Sequence, residues 1–131
     1  MLKKILPLLV LPLLMLMGGC ATTATFTNLT PRQQVANANN LYPVEVAFNS
    51  RQQTLRWDSI KPQIVVGSQT YPMRPTPLMS NRWEGLVPVP AGTTVIHYQY
   101  KFDYLNNACG PPQPDSARSA EYTLRIVPSS E

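Results

Sequence analysis

In the stretch VIHYQYKFDYL, large side chains occupy every second position: Ile96, Tyr98, Tyr100, Phe102 and Tyr104 alternate with the polar His97, Gln99, Lys101 and Asp103. Five such residues stay on one side only if the chain is extended, because a period of two is the β repeat and a helix would scatter them. One face is therefore predicted buried and the other wet. A strand this aromatic needs neighbours on both edges to cover it, so it is expected at the centre of a sheet.

Other segments repeat the pattern. PVEVAFNS sets Val44, Val46 and Phe48 on one side, and EYTLRIV sets Tyr122, Leu124 and Ile126 on one side. IVVGSQTY is apolar at Ile64, Val65 and Val66, where it enters the fold. RWEGLVPVP aligns Trp83, Gly85, Val87 and Val89, with Pro88 and Pro90 on the opposite side. Proline has no N–H for a ladder, so this strand is expected at an edge or ending at Pro88, with PAGT turning the chain into the aromatic strand. Twelve of the 14 prolines lie beyond residue 20 and no segment has capped helical periodicity, which argues against helices longer than two turns. The expected fold is all-β: a small antiparallel two-sheet sandwich of six or seven short strands.

Ahead of this domain the chain begins with Lys3 and Lys4, continues as an apolar block from Ile5 to Met17, and ends in Gly18-Gly19-Cys20. That is the three-part layout of a cleaved signal peptide. The block is short for a membrane-spanning helix, which needs about 20 apolar residues, and Pro7 and Pro12 interrupt it. Met17-Gly18-Gly19-Cys20 resembles the lipobox of bacterial lipoproteins, with Met17 where leucine is commoner. The resemblance implies cleavage before Cys20 and acylation of its thiol and amine by fatty chains such as palmitate. An ordinary secreted protein with an incidental cysteine is the alternative. Several acyl chains on one residue make release from a membrane very slow, whereas one alone binds marginally. Ala21, in place of Asp after the cysteine, resembles the sorting pattern of outer-membrane lipoproteins, so the expected location is the bacterial cell envelope at the outer membrane.

The organisation that follows is a signal peptide over 1–19, a lipidated N-terminus, tether and first strand over 20–40, and a β-sandwich over 41–131. TFTNLT is dense in β-branched and aromatic residues and is preferred as a strand over a linker. If it is a strand, the tether is Ala21 to Ala24 and holds the domain within about 15 Å of the headgroups. Without Lys3 and Lys4, nine Lys and Arg face seven Asp and Glu, a net charge of +2 in place of +4. No basic cluster remains to track phosphates, so nucleic acid is not an expected partner. With Cys20 acylated, Cys109 has no partner within the chain and the domain must fold without a disulfide.

The run NRWEGLVPVPAGTTVIHYQYKFDY, residues 81–104, resembles the later strands of immunoglobulin-like early-set domains, among them starch- and glycogen-binding modules. The resemblance implies an immunoglobulin-like sandwich and is a pattern of fold more than of activity. Modules of that kind bind glucan on exposed tryptophans.

Chemistry is sparse. His97, the one histidine, lies on the polar face of a strand with no nucleophile turn or acidic partner in sequence, so catalysis is not expected. One His and one spare Cys fall short of a metal site, and no cofactor is expected. The seven acids are scattered singly, although folding could bring a pair together as in glycosidases. Trp57, Tyr71 and Trp83 lie outside the alternating strand and are the candidate ligand-binding residues, for a sugar ring or a protein partner. Capping the two ends of the core is the other role open to all three, and the preferred one. Trp57, between Arg56 and Asp58, is the best candidate for exposure. The segment from Asn106 to Ser119, rich in Gly, Pro and Ser, is read as a long connection between the last two strands: a recognition loop or a spacer.

These features lead to a membrane-anchored envelope protein with a non-catalytic interaction or structural domain. A carbohydrate-binding module is the first alternative and a small envelope enzyme the second. The expected partners are the membrane, through lipid on Cys20, and an envelope protein or glycan.

Overall fold

The aromatic strand is the centre of the fold. In the computed structural model, which describes residues 24–107 and 110–129, it runs from Val95 to Asn106, and Tyr98, Tyr100, Phe102 and Tyr104 are all buried. The leader, Cys20 and Cys109 lie outside the described residues.

Ten strands are described: β1 (Ala24–Asn28), β2 (Gln33–Val35), β3 (Leu41–Ser50), β4 (Leu55–Val66), β5 (Gln69–Pro72), β6 (Arg74–Pro75), β7 (Arg82–Pro88), β8 (Val95–Asn106), β9 (Gln113–Arg118) and β10 (Tyr122–Val127). They form two sheets, in the orders β1-β3-β7-β6 and β2-β10-β8-β4-β5, with β9 also on β8. The molecule is thus an all-β sandwich. The strands exceed six or seven because β2, β5 and β6 are fragments of four residues or fewer, too short to show a period in sequence. One pair, β2 with β10, is parallel.

The predicted faces meet in the middle. Val44, Val46 and Phe48 of β3, Trp83 and Val87 of β7, Ile64 of β4, and Leu124 and Ile126 of β10 are buried against the aromatic face of β8. Fully burying one such aliphatic or aromatic side chain contributes about 1.5–3 kcal/mol, and no cysteine stands among these described core residues. Phe26 of β1 packs on Phe48 and Phe102 with ring centroids 5.0 and 5.2 Å away, so TFTNLT does enter the sheet.

Prolines sit where a donor is not needed. The carbonyl of Pro43 accepts from Gln34 Nε2 at 2.8 Å, which points that edge of β3 away from β7 and past the end of β1. β7 stops at Pro88, as its proline predicts.

The connection from Asn106 to Ser119 is shorter than its composition suggests. Gln113–Arg118 forms β9 along β8, so only residues 107–112 separate the two strands. Only Ala117 of β9 is buried, so the strand is held by its ladder and leaves no apolar period to read. β9 and β10 follow one edge of β8, with Arg118 opposite Lys101 and Tyr122 opposite Tyr98. The extra residue is absorbed at Ser119, whose N–H donates to Tyr100 O at 2.9 Å and whose Oγ accepts from Tyr100 N at 2.8 Å.

Candidate functional site

An open groove of about 780 Å³ lies on the edge and outer face of the smaller sheet. It exists because β3 and β7 turn Pro43, Glu45, Glu84 and Leu86 outward while their alternate residues fill the core. Tyr71, facing buried Ile64 across β4 and β5, packs its body on the core and lines the groove with the remainder. β5 and β7 approach this closely because residue 85 is glycine. A Cβ there would stand 2.9 Å from Ile64 Cδ1 and 3.1 Å from Pro72 O.

Folding brings two of the scattered acids together. Glu45 and Glu84 stand directly opposite across β3 and β7, a like-charge pairing that costs stability unless it is compensated. Arg74 compensates from β6. Its Nη2 and Nε donate to Glu84 Oε2 at 3.0 and 3.2 Å, and Thr76 Oγ1 donates to Glu45 Oε2 at 3.3 Å. The Arg74 side chain is 77% exposed, so the pair is screened and contributes little to folding. What it provides is a row of acceptor, acceptor and guanidinium beside the apolar Pro43 and Leu86, open to a ligand with hydroxyl or amide groups. Sequence reading missed this pair because 39 residues separate its members and only strand register aligns them.

The three predicted aromatics separate. Trp57 and Trp83 come together at one end of the sandwich, with centroids 6.4 Å apart and planes 11° apart. Trp83 is a core residue, enclosed by Trp57, Phe48 and Phe102, so only Trp57 of the two reaches solvent. Trp57 lies on a bulge of β4: Arg56 faces Leu105 and Lys61 faces Asp103, which leaves Trp57 to Ile60 opposite Tyr104 alone. Ser59 repairs the ladder there. Its Oγ accepts from Leu105 N at 2.8 Å and donates to Arg56 O at 2.6 Å. Tyr71 is in the groove, apart from both.

Behind the groove lies a buried polar cluster. Tyr100 Oη donates to Asn28 Oδ1 at 2.7 Å, and Asn28 Nδ2 donates to Tyr98 Oη at 2.9 Å. Thr30 Oγ1 lies 3.1 Å from Tyr100 Oη and accepts from Glu45 N at 2.9 Å. Burial pushes the Tyr100 hydroxyl far above its ordinary range, against the Thr30 contact, which works the other way. The cluster is structural: it crosses the core and fixes the path of the chain from β1 toward β2. Asn28 is engaged within it through both its side-chain oxygen and its nitrogen.

His97 is exposed on β8, with Nδ1 3.0 Å from Thr123 Oγ1. Among the described residues no three His, Cys, Asp or Glu side chains come close enough to hold a metal ion, and no helix is long and apolar enough to cross a membrane. Comparison of the chain with models of known families, with curated proteins and with solved structures finds no match.

Proposed function

We propose that this chain is a lipid-anchored protein of the bacterial cell envelope whose β-sandwich acts as a non-catalytic interaction domain. The observation that carries the reading is one of spacing: the first strand begins at Ala24, four residues after the cysteine of Met17-Gly18-Gly19-Cys20. A folded domain that starts this close to the predicted acylation site is held against a membrane by a tether of about 14 Å at full extension. The groove of Pro43, Glu45, Tyr71, Arg74, Glu84 and Leu86 is the binding face of the proposal. It mixes apolar area with a few fixed polar groups and opens on a sheet face, which suits recognition better than the enclosed, water-excluding site that hydrolysis needs.

The intact mass of protein extracted from membranes tests the anchor. A species beginning at Cys20 and heavier by a diacylglyceryl group and an acyl chain supports it; an unmodified or differently cleaved N-terminus overturns it. A photocrosslinker at Leu86, in intact cells, tests the binding face. One discrete adduct that is absent when the crosslinker stands at Ser68 supports it, and identical patterns at both positions overturn it.

Tyr71 beside Arg74 and the two glutamates also supports a second reading, carbohydrate binding, since an aromatic face with planar hydrogen-bonding groups suits a sugar ring. Retention of the protein on glucan or peptidoglycan that is lost in Tyr71→Ala would favour it. No retention on either would remove it.

A further inference from the structure

Leu78 is fully exposed, in a turn where leucine is costly. The turn spans Thr76 to Met79, closed by Met79 N donating to Thr76 O at 3.2 Å, with Pro77 second and Leu78 third at φ +65°. Proline second and a left-handed third residue define a type II turn, whose third position ordinarily takes Gly or Asn. A branched side chain there strains the backbone, and Leu78 is 104% exposed, so it gains no packing in return. Its neighbour Met79 is 40% exposed. The turn is nevertheless fixed in place: Thr76 N donates to Arg82 O at 2.9 Å, and Phe48 N donates to Asn81 O at 3.0 Å. An apolar side chain held outward at a cost to the fold implies something apolar for it to meet.

The topology indicates what that is. Asn81 Nδ2 donates to Asn49 Oδ1 at 3.1 Å, Asn49 pairs with Thr25 and Ser50 with Ala24, so the 76–81 turn lies at the end of the sandwich where β1 begins. Half-exposed Trp57 is at the same end, over Trp83. The segments there, 50–58 and 76–82, carry Arg51, Arg56 and Arg82 against the single acid Asp58, which pairs with Arg56 at 3.5 Å and leaves Arg51 and Arg82 as the excess charge. The turns at the opposite end, 36–40, 67–68 and 89–94, carry no charged residue, and the arginines nearest to them, Arg125 opposite Val95 and Arg32 beside it, lie on the strands.

We propose that this end of the sandwich is a membrane-contact surface, seated on the bilayer that holds the anchor, with Leu78 and Met79 inserted at the headgroup level. The inference rests on the lipid-anchor reading above and adds the orientation of the domain. Apolar tips, a tryptophan and flanking arginines are the combination that binds an anionic membrane interface. A contact of two side chains is weak alone, but the tether makes it intramolecular, at high effective concentration. Strands of ten residues then raise the opposite end about 30 Å above the surface.

The test uses the full chain, processed in a bacterial host and reconstituted into vesicles of phosphatidylethanolamine and phosphatidylglycerol. In a Cys109→Ser background, Leu78→Cys and, at the opposite end, Ser68→Cys are each labelled with an environment-sensitive fluorophore. Both side chains are exposed, so neither change threatens folding. The expected result is blue-shifted emission and lost iodide quenching at position 78, with position 68 open to iodide. Equal quenching at both positions in protein whose mass shows acylated Cys20 overturns the inference and leaves the anchor standing. A mass without acyl chains overturns both.

Discussion

Tyr100 and Asn28 face each other across the two sheets, hydroxyl to side-chain carbonyl at 2.7 Å, the shortest of the three contacts that compete for Tyr100's single proton, the others being Thr30 Oγ1 at 3.1 Å and Glu45 O at 3.2 Å. Removing the hydroxyl in Tyr100→Phe leaves Asn28 Oδ1 with the long contact from Thr30 N, at 3.3 Å. The expected loss is about 1–2 kcal/mol, read as a lower urea midpoint with unchanged slope.

The same burial makes the fold sensitive to alkali. Desolvation raises the Tyr100 hydroxyl above the ordinary tyrosine value, and Tyr104 and Tyr122 move in the same direction for the same leading reason. Above a pH of about 10 the unfolded chain releases these protons while the folded chain retains them, so stability is full below that point and falls as pH rises. Tyr100 alone contributes a slope of about 1.4 kcal/mol per pH unit in that range. Denaturation measured between neutral pH and strong alkali should show the decline, and Tyr100→Phe should make it shallower.

Trp57 shields Trp83 and lies 5.9 Å from Phe48, centroid to centroid. Trp57→Ala is expected to cost about 2 kcal/mol, less than a fully buried tryptophan because the residue is 43% exposed. The remaining indole, Trp83, should then emit further to the red as water reaches it.

Gly85→Ala tests the approach of β5 to β7. The new methyl meets Ile64 Cδ1, which can rotate away, and Pro72 O, a backbone atom that moves only with β5. The expected cost is about 1–3 kcal/mol of overpacking. Hydrogen exchange in Gln69–Pro72 should quicken more than in β8.

Leu78→Gly should act in the opposite sense. Glycine accepts the +65° φ without strain and no packing is lost, so thermal stability should rise by about 1 kcal/mol. A lower melting temperature would show that Leu78 supports the fold, and would remove the strain argument for a partner.

What the linear sequence determined was the identity of the faces. Alternation in residues 96–104 named the buried side of β8, Val44, Val46 and Phe48 named that of β3, and the prolines placed the end of β7, because each depends on residues within one strand. The tertiary structure decided what happens between strands. Register set Glu45 against Glu84, a three-residue bulge laid Trp57 over Trp83, and a ladder with one buried alanine made a strand of Gln113–Arg118. It also put the 76–81 turn beside the start of β1. None of these leaves a local signal, because hydrogen bonding between distant backbones is blind to side-chain type and period, and it alone chooses which residues become neighbours.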